Sequence, residues 1–322
     1  MKCIICDSDK NNIYCIAKSL DSFENIEYAY LRCNSCGLVF LMHRNNTDRT
    51  NIYEEGYYSR EKPAFNKIIE QIMFYFGYWR WKKIEKYFGR SDGNKKLLDI
   101  GCGKGKFLHI ARSNNWLVYG IEPSSRSYEV AVNKYHLNVL PREMCPDQFN
   151  AKEFDLITLW HVFEHLDNPE TCLKTIHKWL KEKGCILIAV PNIGSIMSKF
   201  GKELWFNLDP PRHVFHYSQK SLEKILCKNN FAIINKSHFY PEIDFISVVL
   251  TLLNKIGIYP NFLFNFLKRN RKALPDNIFI FGLNLIITLS SLILIGIPII
   301  FFTFIQALLG KGETMIIIAK KL

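Results

Sequence analysis

The amino-acid sequence predicts a doubly wound α/β fold, a mostly parallel sheet covered by helices on both faces. Three observations predict it. Short apolar runs alternate with amphipathic ones from residue 94 to about residue 240, a glycine-rich loop follows the first such run, and cap residues mark the helix starts. A chain of 322 residues, 48% hydrophobic and 22% charged, can bury one large core with additions, which excludes a disordered tail or a fibre. The 42 Lys and Arg against 30 Asp and Glu, net +12, favour an anionic partner: nucleic acid, acidic lipid headgroups or a phosphorylated substrate. Ten cysteines are too sparse for a secreted disulfide scaffold. The start MKCIICDSDKNN holds no apolar core of signal-peptide length, so a cytoplasmic setting is expected.

Residues 1–45 carry two pairs, Cys3-x-x-Cys6 and Cys33-x-x-Cys36-Gly37, among short alternating segments. Two such knuckles at this separation suit four thiolates around one tetrahedral zinc, a closed and therefore structural site. A redox C-x-x-C would start a helix, and nothing near Cys3 reads as one. Residues 46–93 form an aromatic, helical lead-in closed by Gly89 and Ser91-Asp92-Gly93. From residue 94 to 240, strands are expected at Lys96–Ile100, Leu117–Ile121, Asn138–Leu140, Phe154–Leu159, Cys185–Val190 and Phe231–Ser237. Helices are expected at Lys104–Arg112, Ser124–Tyr135, Pro169–Leu180 and Ser218–Cys227. Pro169 follows the cap Asp167-Asn168, and Ser218 with Ser221 makes a second start signal.

The first strand runs into Gly101-Cys102-Gly103-Lys104-Gly105, where a ligand can approach backbone free of Cβ atoms. Asp99 ends that strand, and Glu122 ends the next, placed to accept hydrogen bonds from ribose hydroxyls. The run LLDIGCGKGKF, Glu122 and the later FDLITL together resemble class I S-adenosylmethionine-dependent methyltransferases, over about residues 95–240. The resemblance implies a seven-stranded Rossmann-like sheet. It also implies cofactor binding by Gly101, Cys102, Gly103, Gly105, Glu122 and Trp160, with Asp99 nearby. An adenine contact is implied after the third strand, around Glu143 and Met144.

Trp160-His161-Val162-Phe163-Glu164-His165 continues the fourth strand to the ligand crevice. A hydroxyl acceptor must lose its proton as the methyl arrives, and neutral imidazole can take it. His161 and His165, four apart, would face one side of a helix; alternatively Glu164-His165 only orients the loop. Ubiquinone-pathway O-methyltransferases carry a similar E-x-x-E-H pattern that binds a divalent cation. Here His161 replaces the first glutamate, while Glu164 and His165 match.

Asp209-Pro210-Pro211-Arg212-His213-Val214-Phe215-His216-Tyr217 resembles a stretch of a bacterial subgroup linked to surface-glycan synthesis. Its prolines are expected to hold an extended segment over the crevice, with His213 as a further base. Arg212 and Glu164 would contact substrate; the alternative is an ordered lid held by its own aromatics. Tyr53-Glu54-Glu55-Gly56-Tyr57-Tyr58 resembles that subgroup's lead-in, whose tyrosines close over the cofactor; as plain core aromatics they would need no such role. Similar cysteine-bearing N-termini precede sugar methyltransferases and one type of ribosomal-RNA methyltransferase.

Residues 277–310 contain no charge. As one helix they would exceed a bilayer core of about 30 Å. Residues 313–322, beginning Glu313-Thr314-Met315-Ile316-Ile317-Ile318, resemble the last strand of the methyltransferase sheet, inserted beside the sixth. A re-entrant or interfacial hairpin is therefore expected within residues 241–312, broken near Ser290-Ser291 or Gly296–Pro298, on the inner face of the membrane. The four positive charges of Lys268-Arg269-Asn270-Arg271-Lys272 suit anionic headgroups; a buried subdomain or dimer interface is the other reading.

The combined expectation is a methyltransferase at a lipid surface acting on a hydroxyl of a lipid-linked glycan or small-molecule acceptor. The rivals are an RNA methyltransferase gripping through the ribbon, less favoured because it leaves the apolar stretch unused, and a non-catalytic membrane scaffold.

Overall fold

The computed structural model of the chain describes residues 2–19, 26–42 and 66–322, with side chains from residue 71 onward in the last of these. The Tyr53–Tyr58 segment lies outside them. Along the chain come strands β1 (Asn11–Lys18), β2 (Glu27–Cys33) and β3 (Val39–Leu41), then helix α1 (Asn66–Phe88). An alternating series follows: β4 (Lys96–Ile100), α2 (Lys106–Ser113), β5 (Leu117–Ile121), α3 (Ser125–Tyr135), β6 (Asn138–Leu140), β7 (Phe154–Trp160), α4 (Pro169–Trp179) and β8 (Leu180–Pro191). The remainder is α5 (Ile196–Gly201), β9 (Phe215–His216), α6 (Gln219–Lys228), β10 (Phe231–Ser237), α7 (Pro241–Lys255), α8 (Phe262–Lys268), α9 (Ile278–Leu308) and β11 (Thr314–Lys321).

These elements form two compact units. One comprises Met1–Ile69, Pro191–Leu222 and Ser237–Met315; the other comprises Glu70–Val190, Glu223–Lys236 and Ile316–Leu322. The second is the sheet unit, with strand order β10-β11-β8-β7-β4-β5-β6. β4 pairs in parallel with β5 and β7, β5 with β6, and β7 with β8. The central strands are apolar on both faces because both are covered: Leu97, Leu98, Leu156, Ile157, Leu159 and Ile186 are all buried. β11 takes the expected place beside β10, its Ile316–Ile318 run buried. α1 joins this unit through Trp81, which meets Trp116 edge-on at 5.9 Å.

In the other unit β1, β2, β3 and β9 make a four-stranded sheet. β9 pairs antiparallel with β3, Phe215 opposite Phe40 and His216 opposite Val39. The Asp209–Tyr217 stretch is thus not an extended arm. Pro210–Arg212 make a turn, because the Asp209 carboxylate receives the Arg212 guanidinium three residues on, and the following residues add a strand to the cysteine ribbon.

The expected hairpin is corrected as well. α9 runs unbroken for 31 residues with Pro298 inside it, about 46 Å long. Pro298 removes one hydrogen bond from the ladder, a loss of about 3 kcal/mol that the turns on either side outweigh. Its partner is α7: Phe239, just before α7, meets Phe304 edge-on, and Tyr259, just after it, donates its N–H to Asn284 Oδ1 at 2.7 Å.

Candidate active site

The loop between β4 and α2 is shaped by glycines in the left-handed region, Gly101 at φ 70° and Gly105 at φ 75°. A Cβ on Gly101 would lie 2.5 Å from the Val162 side chain, and one on Gly105 2.5 Å from Leu137. The conformation of Gly105 delays α2 to Lys106, two residues later than the sequence suggests. Gly103 is different: a Cβ there would meet nothing within 4 Å, so its backbone borders open space. This is the cradle that a ligand pressed against the main chain requires.

Glu122 holds the cradle's shape. Buried at 4% exposure, it accepts the Gly103 N–H on Oε2 at 2.7 Å and the Ser124 N–H on Oε1 at 2.9 Å. Burial raises its pKa above the ordinary carboxylate value, with the two N–H groups pulling the other way. One bond per oxygen leaves lone pairs for ligand hydroxyls. Asp99 lies buried at the end of β4, its Oδ1 accepting the Thr158 hydroxyl at 2.6 Å. Burial pushes its pKa up to about 7, against the opposing pull of Thr158 and of the Arg80 guanidinium. Cys102 packs beneath the loop, and burial raises its thiol pKa.

Arg80 is the residue that sequence reasoning missed. From α1 its guanidinium carbon stands 5.7 Å from the Phe107 ring centre and 5.5 Å from that of Trp160, whose rings meet edge-on at 5.5 Å. The signal was a cation between two indoles, Trp79-Arg80-Trp81, read only as part of the aromatic, helical lead-in. Trp160 is thereby a wall of the same region.

Past β7, His161 adopts a left-handed backbone (φ 54°) and donates its N–H to the Ala189 carbonyl at 2.9 Å. A single 3₁₀ turn, Phe163–His165, follows. The α-helical spacing expected of His161 and His165 is therefore replaced by a different pairing: His161 Nδ1 lies 3.3 Å from Oε1 of the fully buried Glu164. The other ring nitrogen, His161 Nε2, is buried. His165, half-buried, donates its N–H to the Val162 carbonyl at 3.0 Å. Beyond β6, Glu143 is exposed and Met144 turns its sulfur to Cys172 at 3.9 Å.

In the ribbon unit, Arg212 Nε donates to Asp209 Oδ2 at 2.8 Å and its Nη2 donates to Oδ1. His213 Nδ1 lies 2.7 Å from the Asn207 carbonyl, and the Tyr30 hydroxyl donates to the His213 carbonyl at 2.9 Å. Arg212, expected to reach for an acceptor, is thus engaged by Asp209 within its own unit. Here too Cys3, Cys6, Cys33 and Cys36 converge, all four sulfurs within 4.8 Å of one another, with Cys3–Cys36 and Cys6–Cys33 at 3.5 Å. Tetrahedral Zn–S bonds of about 2.3 Å require sulfurs about 3.8 Å apart, so the four thiols fit a zinc.

A family profile described as "Methyltransferase domain" matches residues 72–236, just over half of the chain. The chain belongs to this methyltransferase family. Curated relatives of the methyltransferase include ubiquinone biosynthesis O-methyltransferases. That of Glaesserella parasuis is 31% identical over 108 residues, 30% of this chain and 46% of the relative. That of Pelagibacter ubique is 34% identical over 103 residues, 31% and 43% of the two chains. The match therefore spans less than half of each relative's own length. A solved S-adenosylmethionine-dependent methyltransferase from Archaeoglobus fulgidus is similar over 76% of this chain and 94% of its own, at 18% identity and a TM-score of 0.46. The matched residues of the methyltransferase include the glycine loop, Glu122 and the His161–Glu164 pair. The cysteine ribbon and α7–β11 fall outside them.

The cradle fits S-adenosylmethionine. Gly103 leaves backbone uncovered, Glu122 has acceptor capacity for ribose hydroxyls, and Arg80 offers a cation to a carboxylate.

Proposed function

We propose that the chain methylates an oxygen acceptor at a membrane surface, the acceptor being a hydroxyl of a lipid-linked sugar or polysaccharide precursor. The observation that carries the chemistry is the open cradle at Gly103 beneath Glu122, with the His161–Glu164 pair on the same unit. S-adenosylmethionine, when bound, supplies a methyl group on a sulfonium. Glu122 holds ribose hydroxyls, Arg80 pairs with the carboxylate, and Trp160 with Phe107 forms an apolar wall that excludes water. Glu164 pairs with the His161 ring, and that imidazole takes the acceptor's hydroxyl proton. The relatives' printed name, O-methyltransferase, supports an oxygen acceptor. The apolar face of α9 supports a lipid surface.

The test is transfer of labelled methyl from S-adenosylmethionine by the full chain incubated with its native membranes and RNA. Label in solvent-extractable lipid, lost about 100-fold in His161→Gln with cofactor affinity retained, is the expected result. Label in RNA instead would overturn the acceptor class. Activity abolished by a chelator that leaves the ribbon's zinc bound would replace proton transfer by cation assistance at Glu164 and His165.

A further inference from the structure

α9 is built inside out. Its buried residues are Asn284, Thr288, Gly296, Ile299, Thr303 and Gln306, polar or small except for Ile299 and spaced three to eight residues apart along one side. Its outward side is Ile, Leu and Phe from end to end: Ile278 is 87% exposed, Ile293 82% and Leu308 72%. A helix on a water-facing surface has the opposite pattern. The polar side is covered near both ends by the same unit. Asn284 takes the Tyr259 N–H, Phe281 packs on Phe262 and Phe266, Phe304 packs on Phe239, and the Lys311 carbonyl just past the helix accepts the Ile196 N–H.

A helix spanning a bilayer has lipid or other spanning helices on all sides over about 30 Å. Here both ends are backed by folded protein rich in polar groups, including buried Asn254, Asn261 and Asn265. Only the outer half can meet hydrocarbon. The flanks decide what covers it. Arg269, Arg271 and Lys272 are exposed before the helix and Lys311 just after it, while residues 277–310 carry no charge. A second copy laid along α9 would bring cations against cations at its ends, whether parallel or antiparallel. Anionic headgroups would neutralise both ends at once.

We infer that α9 lies flat in one leaflet of an anionic lipid surface, its polar stripe on α7 and its apolar face in the acyl region, and that it does not cross. This rests on the membrane reading above and defines how the surface is engaged. The test uses the full chain carrying an environment-sensitive fluorescent amino acid at Ile286, Ile293 or Phe301, all on the exposed face. Vesicles are phosphatidylcholine and phosphatidylglycerol in equal parts, with brominated lipids reporting depth. A blue shift at all three positions, with equal depth, is the expected result. Replacing Arg269 and Lys272 by Gln should weaken partitioning about 25-fold, about five-fold per charge. Depth greatest at Ile293 and shallow at the other two would mean a crossing helix and overturn the inference. So would no shift on vesicles, whether or not the chain doubles its mass. None of these readouts involves methyl transfer, so failure here is separate from failure of the chemistry.

Discussion

Asp99→Asn tests the electrostatics of the glycine-loop crevice, because Asp99 is the one loop-side group whose burial can be read as a free energy. Its carboxyl is 2% exposed, and its pKa moves from the ordinary 3.8 up to about 7. The folded chain therefore keeps a proton that the unfolded chain has already released. Stability from this group is complete below about pH 4 and is lost as pH rises through about 7. A shift of about three pKa units corresponds to about 4 kcal/mol, of which about 3 kcal/mol falls between pH 5 and pH 8. Asparagine keeps an oxygen for the Thr158 hydroxyl and cannot ionise. The variant should gain stability over the parent at pH 8, and that gain should exceed the one at pH 5 by about 3 kcal/mol. Urea unfolding at both pH values, followed by fluorescence of the buried Trp81, Trp116 and Trp179, measures it. A gain that does not change with pH would refute the argument, because only an ionising Asp99 makes it pH-dependent.

Two further outcomes follow from the same geometry. Glu122→Ala should weaken S-adenosylmethionine binding by about 10- to 100-fold in calorimetry, the value of a lost charge-assisted hydrogen bond, with vesicle binding unchanged. The purified chain should carry one zinc by elemental mass spectrometry, and Cys33→Ser should lose it and increase hydrogen exchange across β1–β3, while exchange in β4 stays as before.

Much of the sheet unit is legible in the sequence, and the reason is burial. β4, β5, β6 and β10 begin and end where expected, because β4, β5 and β6 are short, largely apolar runs that stop at Gly101, Glu122 and Pro141. The paired cysteines and the glycine loop were legible for a similar reason, since each chemistry allows few residue types. What failed were inferences that extended a local rule past its packing. Gly296 and Pro298 read as breakers, but α7 lies along the helix and holds it straight through them. Four-residue spacing suggested that His161 and His165 act together, yet the left-handed His161 and the short 3₁₀ turn couple His161 to Glu164. The paired prolines were read as holding an extended segment, although Asp209 lay three residues before Arg212 and closed the turn. Arg80 belongs to no motif; only folding of α1 onto the sheet places it above Trp160.

The inverted α9 and its anchor at Glu313 have one cause. A helix whose outer face is committed to hydrocarbon gains little from burying more hydrocarbon inward, because lipid and core are equally apolar to it. Its attachment must come from polar contacts, which lipid cannot replace. Asn284 supplies one such contact by accepting the Tyr259 N–H, and Glu313 supplies others at the exit. Oε2 of Glu313 accepts both the Trp205 indole N–H and the Ser247 hydroxyl at 2.7 Å, tying the run before the Asp209 turn, α7 and the end of α9 to one buried carboxyl. Burial raises the pKa of Glu313 and of Asp244 nearby, so this junction disfavours two charges. Replacing Asn284 and Glu313 by leucine would keep the volume and discard polar contacts that lipid cannot replace.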